Sequence, residues 1–171
     1  IDHLTGLYRG DVAYTDDALG DFLQEMERAG VVRDTVLVVT SDHGESFGEH
    51  GVYLHAHHFY DEIVRVPFII RAPEMSVRGA YNHRLFQTID LLPTIAALTG
   101  TRLPGENRID GYDISGSVKG NASSPRQELV FYNARGDLEG TVQQVGARPP
   151  GRLRGRSHGL ALAEIADRLR R

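Results

Sequence analysis

The sequence predicts an α/β fold, part of a doubly wound and mostly parallel sheet with helices on both faces. Two apolar runs carry this prediction, residues 35–40 and 66–71, because continuous β-branched and leucine residues are typical of strands covered on both sides. A helical pattern precedes the first run, and this α-then-β order is typical of such sheets. With 171 residues, 40% of them hydrophobic, the chain can bury a core of its own.

The first elements are predicted from periodicity and from the residues that end them. Apolar side chains recur at three- and four-residue spacing within residues 8–29, which predicts an amphipathic helix that Gly30 can end. The strand over residues 35–40 follows after a short connection. In the second strand Pro67 is tolerated only near the beginning, because proline donates no hydrogen bond to a sheet.

The elements further along follow from similar signals. A helix is predicted near residues 89–98, since Pro93 fits a first helical turn and Gly100 a helix exit. Residues 116–125 are rich in Gly, Ser and Asn, which predicts a surface loop, and residues 128–132 predict a further strand.

The composition changes near the end of the chain. Residues 1–140 are predicted to form one domain and residues 141–171 a basic, divergent and partly disordered tail. Residues 147–156 are mostly Arg, Gly and Pro, which predicts disorder, and a short helix is predicted over residues 160–169. Residues 148–171 carry 7 basic and 2 acidic side chains, against 12 basic and 21 acidic in residues 1–147.

Composition also excludes several classes of protein. The basic tail has no aromatic residue to stack on bases and no groove-reading motif, so no nucleic-acid partner is expected. The longest apolar runs hold about six residues, short of the roughly 20 that span a bilayer. Zero cysteines exclude disulfides, thiolate metal sites and a cysteine nucleophile within these residues. Composition predicts neither the compartment nor the oligomeric state.

The functional residues are expected where the first predicted strand ends. Asp42 and His43 follow that strand directly, and Gly44 lets the chain turn. Ligands of open α/β sheets gather outside the carboxyl ends of the strands. Five of the eight histidines lie between His43 and His58, within a connection of more than 20 residues, and long ordered loops are usually functional.

Asp42 and His43 together suit a divalent cation. An oxygen and a nitrogen ligand favour Ca²⁺, Mg²⁺ or Mn²⁺, and the imidazole keeps Zn²⁺ as an alternative. The simpler interpretation is that Asp42 caps a following turn and His43 only packs. Glu45 and Glu49 follow closely and are candidates to orient His43 or His50 by hydrogen bonding, although helix-cap roles suit them equally. Arg65 is expected to bridge to a nearby carboxylate and to stabilise the loop.

Several sequence blocks occur in an order that resembles one known family. They are Thr-Ser-Asp-His-Gly-Glu at residues 40–45, Gly-Glu-His-Gly at 48–51, Tyr-Asp-Glu at 60–62, Arg-Val-Pro-Phe-Ile-Ile at 65–70, Ile-Asp-Leu-Leu-Pro-Thr at 89–94 and Asp-Gly at 110–111. With the helix around residues 14–20, they resemble the C-terminal catalytic segment of sulfatases in the alkaline phosphatase superfamily. The resemblance covers roughly residues 8 to 135, and the blocks are specific only when taken together.

The resemblance implies a calcium-dependent sulfuric ester hydrolase with an alkaline phosphatase-like fold. It implies that Asp42 and His43 are two of the metal ligands. A basic residue of the family, commonly lysine, contacts the sulfate oxygens, and here His55 lies nearest to that role, with His57 as the alternative. His55 could also protonate the leaving oxygen as a general acid. Because an imidazole stands in place of lysine, activity is expected to favour mildly acidic pH.

The family's nucleophile is a formylglycine made from cysteine or serine in an N-terminal Cys/Ser-x-Pro-x-Arg motif, which these residues do not contain. Together with Ile1 as the first residue, this leads us to expect that the N-terminal half is missing and that the segment alone is inactive. The implied partner is a sulfated small molecule or glycan. The resemblance favours a periplasmic or extracellular location.

Two other functions remain open at the level of sequence. A phosphoryl-transferring relative, such as a phosphoethanolamine or phosphoglycerol transferase or a phosphodiesterase, uses the same Asp-His pair, with Mn²⁺, Mg²⁺ or Zn²⁺ as the metal. The third interpretation, from another class, is a non-catalytic module whose His-rich loop binds a metal or a partner. The identity of the nucleophile separates the first two, because fold alone does not fix function.

Overall fold

Residues 2–55, 58–73, 82–105, 108–133 and 135–143 are described by the computed structural model. They belong to two units, the first within residues 2–73 and the second within residues 82–143. The predicted disorder over residues 147–156 and the predicted helix over residues 160–169 lie outside the described residues. Within the described part of the chain, no helix is both long enough and apolar enough to cross a bilayer.

The first unit begins with the long helix α1, Asp2–Arg28. It starts earlier than the predicted residue 8 and buries one face that includes Gly20 and Leu23. The predicted stop is confirmed: Gly30 has a φ of 71°, and the Val31 N–H donates to the Met26 carbonyl at 3.1 Å. A left-handed glycine with such a bond is a common way to end a helix.

The two predicted strands of this unit exist and pair with each other. They are β1, Leu37–Thr40, and β4, Phe68–Arg71. Two short strands lie between them in the chain. β4 begins directly after Pro67, as expected of a residue without an N–H. The Arg71 guanidinium donates to the Val32 carbonyl at 2.6 Å and ties β4 to the turn before β1.

The mostly parallel sheet predicted from the sequence is not found in this part of the chain. β1 and β4 run antiparallel, with Leu37 opposite Arg71 and Thr40 opposite Phe68. A parallel pair needs a crossover connection, usually a full helix. Among the described residues of the connection between β1 and β4, the one α-helix is the short α2, Asp61–Val64, and β4 returns alongside β1 in the opposite direction.

The connection also contains a hairpin that the sequence did not predict. Strands β2, Ser46–Phe47, and β3, Tyr53–Leu54, pair antiparallel around a 3₁₀ turn at Glu49–Gly51. Ser46 is buried and its hydroxyl donates to the Val52 carbonyl at 2.9 Å. The hairpin folds the His-rich loop back towards the end of β1.

The second unit contains two helices and a hairpin. A 3₁₀ turn at Thr88–Asp90 leads into α3, Leu91–Thr99, which confirms the predicted helix with Gly100 at its exit (φ 68°). Helix α4, Ser115–Val118, precedes β5, Glu128–Tyr132, and β6, Leu138–Gln143, which pair antiparallel. β5 confirms the predicted strand, whereas β6 was not predicted and continues past the boundary placed at residue 140.

A buried ion pair lies at the centre of the second unit. Asp90 is fully buried, and its carboxylate accepts hydrogen bonds from Arg126 Nε at 2.8 Å and Nη2 at 2.6 Å. The backbone N–H groups of Gln87 and Tyr112 donate to the same carboxylate at 2.8 Å. Burial raises the pKa of Asp90, but these hydrogen bonds outweigh it and hold the pKa below the ordinary value.

The predicted surface loop over residues 116–125 is only partly correct. Ser117 and Ser124 are buried, and the Ser124 hydroxyl donates to the Leu85 carbonyl at 2.8 Å. The Asn82 amide donates to the Ser117 carbonyl at 2.8 Å. Short polar side chains satisfy backbone groups here, so a composition typical of surface loops also occurs in a buried connection.

Candidate active site

Asp42 lies at the end of β1, where the sequence predicts it. One carboxylate oxygen, Oδ1, accepts a hydrogen bond from the His43 N–H at 3.0 Å, while the Ser41 hydroxyl donates to the His43 carbonyl at 2.6 Å. The bond from the His43 N–H, together with the backbone N–H of Asp42 itself and the His43 ring, holds the pKa of Asp42 below its usual range. Asp42 is therefore an exposed, ionised carboxylate and suits a cation ligand.

His43 presents one ring nitrogen for binding. Its Nδ1 lies 2.8 Å from the Gly44 carbonyl oxygen, and because a carbonyl only accepts, Nδ1 carries the hydrogen. Nε2 is then the atom that can bind a metal, and it lies 3.8 Å from Asp42 Oδ2. That separation is less than twice a Ca–O distance of about 2.3–2.6 Å, so one ion can reach both atoms.

Asp42 and His43 therefore fit a divalent metal by their chemistry and spacing, but they do not complete a site. Among the described residues, no group of three His, Asp or Glu side chains could hold a metal ion. A Ca²⁺ ion takes six to eight oxygen ligands, which include backbone carbonyls and water, so two side chains alone do not complete its coordination.

Gly44 fixes this turn against the start of α2. Its N–H donates to the Ile63 carbonyl at 2.7 Å. A Cβ at this position would lie 2.0 Å from the Glu62 carbonyl oxygen, a distance that real side chains do not reach. Only glycine allows so close an approach, and this approach determines where Asp42 and His43 lie relative to α2.

His55 lies beside His43 although twelve residues separate them in the chain. The two rings stack with centroids 4.1 Å apart and 24° between their planes. His55 follows the β2–β3 hairpin, and its Nδ1 lies 3.1 Å from Glu45 Oε2. The structure thus brings three of the predicted site residues together: Asp42, His43 and His55. The fourth, His57, lies outside the described residues.

Both candidate orienting carboxylates accept hydrogen bonds in the structure. Glu45 is bonded to His55 and not to His43. Glu49 accepts a hydrogen bond from the Phe47 N–H at 2.6 Å and so supports the hairpin turn. The sequence did not predict the Glu45–His55 contact. It depends on the β2–β3 hairpin, whose strands of two residues are too short to show a periodic pattern.

A second group of aromatic and charged side chains lies around Tyr60. The His50 ring stacks on Tyr60 at 4.1 Å, and His50 Nε2 lies 3.7 Å from Glu62 Oε1. Arg65 pairs with Asp61 at 3.9 Å in an exposed contact, as the sequence suggests.

The comparisons with known proteins identify the family of this chain. The family model described as Sulfatase matches residues 2–101, more than half of the chain. The chain belongs to the sulfatase family. Among its relatives is an ulvan-active sulfatase of Formosa agariphila, 33% identical over 133 residues, which are 76% of this chain and 25% of that protein.

Other sulfatases match over a similar stretch. Human arylsulfatase A is 34% identical over 124 residues, 68% of this chain and 24% of its own length. Mouse steryl-sulfatase is 29% identical over 148 residues, 80% of this chain and 24% of its own length. The chain thus spans about a quarter of the length of the sulfatases that it matches.

A solved structure resembles the fold as well. It is described as a complex with the substrate D-glucosamine-2-N,6-O-disulfate, and it matches with a TM-score of 0.59 and 27% identity over 69% of this chain and 24% of that one. The likeness agrees with membership of the sulfatase family and with a fold of helices and small sheets.

Proposed function

We propose that this sulfatase-family protein hydrolyses a sulfate ester with the help of a divalent metal ion, for which we propose Ca²⁺. The observation that carries the proposal is the pair of ligand atoms at the end of β1, Asp42 Oδ2 and His43 Nε2, 3.8 Å apart. Bound there, the ion would polarise the sulfate and neutralise charge during transfer. Asp42 and His43 hold part of its coordination sphere.

We propose His55 as the catalytic and substrate-binding residue of this segment. Its ring lies against His43, so it is close enough to contact the oxygens of a sulfate group held beside the metal pair. A protonated Nε2 can donate to a sulfate oxygen or to the leaving oxygen. His57 is the alternative for substrate contact. The formylglycine nucleophile that the family resemblance implies has no cysteine precursor in these residues.

The proposed substrate is a sulfated glycan or small molecule. Support comes from the relatives, which include an ulvan-active sulfatase and an N-acetylglucosamine-6-O-sulfatase of Bacteroides thetaiotaomicron. A location outside the cytoplasm is proposed on family resemblance alone.

The test compares sulfate and phosphate esters with the protein as its gene encodes it. Release from 4-nitrophenyl sulfate and from 6-O-sulfated glucosamine is measured beside 4-nitrophenyl phosphate, before and after treatment with a chelator. We expect sulfate release that the chelator abolishes and Ca²⁺ restores. Absence of sulfate release, or faster hydrolysis of the phosphate ester, would contradict the proposal, and the second result would assign phosphoryl transfer.

A further inference from the structure

We infer that Glu45 is a positioning residue that holds the His55 ring with its hydrogen on Nδ1 and its Nε2 available to the sulfate ester. This inference rests on the proposed function, in which His55 contacts substrate. It starts from one contact, the 3.1 Å between Glu45 Oε2 and His55 Nδ1.

The chemistry of this contact determines which ring nitrogen carries the hydrogen. The Glu45 carboxylate oxygen accepts this hydrogen bond, so Nδ1 of His55 is the donor. Nε2 is then the nitrogen left for the ester, and it donates to a sulfate or leaving oxygen when the ring carries a hydrogen on both nitrogens. A histidine that donates one ring hydrogen to a carboxylate has its tautomer and its orientation fixed, as in many metal and catalytic sites.

Glu45 is half-buried, and this limits the partners that its carboxylate can have. Its side chain is 21% exposed, against 50% for His55, and its second oxygen, Oε1, is buried and has no hydrogen-bond partner in the described part of the chain. Within that part, His55 is therefore the hydrogen-bond donor to this carboxylate. Loss of the contact would leave this half-buried carboxylate without that hydrogen bond.

Two further features fix the His55 ring. The stack on His43 at 4.1 Å constrains the plane of the ring, while the hydrogen bond from Nδ1 constrains its rotation within that plane. The preceding residue, Leu54, has a φ of 68°, which is rare for a leucine, and the residue is 61% exposed. Packing of Leu54 therefore does not account for this strained backbone, which lies directly before His55.

Glu62 provides a matched comparison within the same unit. Its side chain is 18% exposed and faces His50, which is 53% exposed, so burial and neighbour resemble those of Glu45 and His55. The Glu62–His50 separation is longer, 3.7 Å, and Glu62 Oε1 has no hydrogen-bond partner among the described residues. Of the two pairs, only Glu45 and His55 lie within hydrogen-bond distance, and their histidine stacks on the proposed metal ligand His43.

The experiment replaces Glu45 in the protein as its gene encodes it. Glu45→Ala removes the acceptor, Glu45→Gln keeps an acceptor oxygen without the charge, and Glu62→Ala is the control. The tautomer of neutral His55 is read from the ¹⁵N shifts of labelled histidine, assigned with His55→Ala, and kcat and KM are measured on 4-nitrophenyl sulfate.

For Glu45→Ala we expect a kcat about 10–100-fold lower, a KM changed less than about threefold, and a His55 tautomer shifted towards hydrogen on Nε2. Glu45→Gln should restore the Nδ1 tautomer and most of the kcat, and Glu62→Ala should change neither. An unchanged tautomer in Glu45→Ala, or equal losses in Glu45→Ala and Glu45→Gln, would overturn the inference. The tautomer needs no turnover, so it decides this inference even if the wild-type protein releases no sulfate.

Discussion

At the level of single residues, a few short polar contacts stabilise the fold. Asp90 has no exposed surface, and Arg126 is 8% exposed and lies over the Tyr112 ring at 4.7 Å. The bidentate pair between them joins the start of α3 to the segment before β5. Removing one partner of a buried pair leaves an uncompensated charge, which is far more costly than removing an exposed pair.

Arg126→Ala is therefore expected to lower the free energy of unfolding by about 3–5 kcal/mol. Arg65→Ala is the matched control, because the Arg65–Asp61 pair is exposed on both sides and such pairs contribute about 0–1 kcal/mol. Urea denaturation followed by circular dichroism measures both variants. Similar losses in the two variants would show that the Asp90–Arg126 pair does not stabilise the second unit.

At the scale of elements, the proposed site depends on how closely the end of β1 approaches α2. Gly44 makes that approach possible, with its N–H bonded to the Ile63 carbonyl. The turn at Gly44 and helix α2 are therefore expected to move together. A displacement of either one would move Asp42 and His43.

Gly44→Ala is expected to lower stability by about 1–3 kcal/mol and to reduce sulfate release, because the added Cβ would meet the Glu62 carbonyl oxygen at 2.0 Å. Gly10→Ala is the control: Gly10 lies within α1 with no described atom within 4 Å of an added Cβ. That change should stabilise the helix by about 0.5–1 kcal/mol. Thermal unfolding of both variants measures the difference, and a Gly44→Ala variant as stable as the wild type would contradict the role given to this approach.

At the scale of the whole molecule, the sequence predicted elements better than it predicted their arrangement. The helix before Gly30, the strands β1, β4 and β5, and the helix before Gly100 were all found, because periodicity and end signals are local. The antiparallel pairing of β1 with β4 was not predicted, because apolar runs report burial and not direction. The β2–β3 hairpin was missed because its strands have two residues each.

In the candidate site, too, the sequence predicted local contacts better than contacts between distant residues. Asp42 and His43 are adjacent in the chain, so the sequence alone could predict that they meet. The contacts of His55 with His43 and Glu45 depend on the hairpin, and the family resemblance pointed to His55 without its partners. No group of three metal-binding side chains is found among the described residues, and the chain spans about a quarter of the length of its relatives.

The most direct test of the central claim is calcium binding by the protein as its gene encodes it, measured by isothermal titration calorimetry. Wild type is compared with Asp42→Ala, His43→Ala and the control His3→Ala, whose side chain is exposed on α1. We predict that Ca²⁺ binds to the wild type and to His3→Ala with equal affinity, and that both site variants weaken binding by at least about tenfold. Equal affinity in all four proteins would contradict the assignment of Asp42 and His43 as metal ligands.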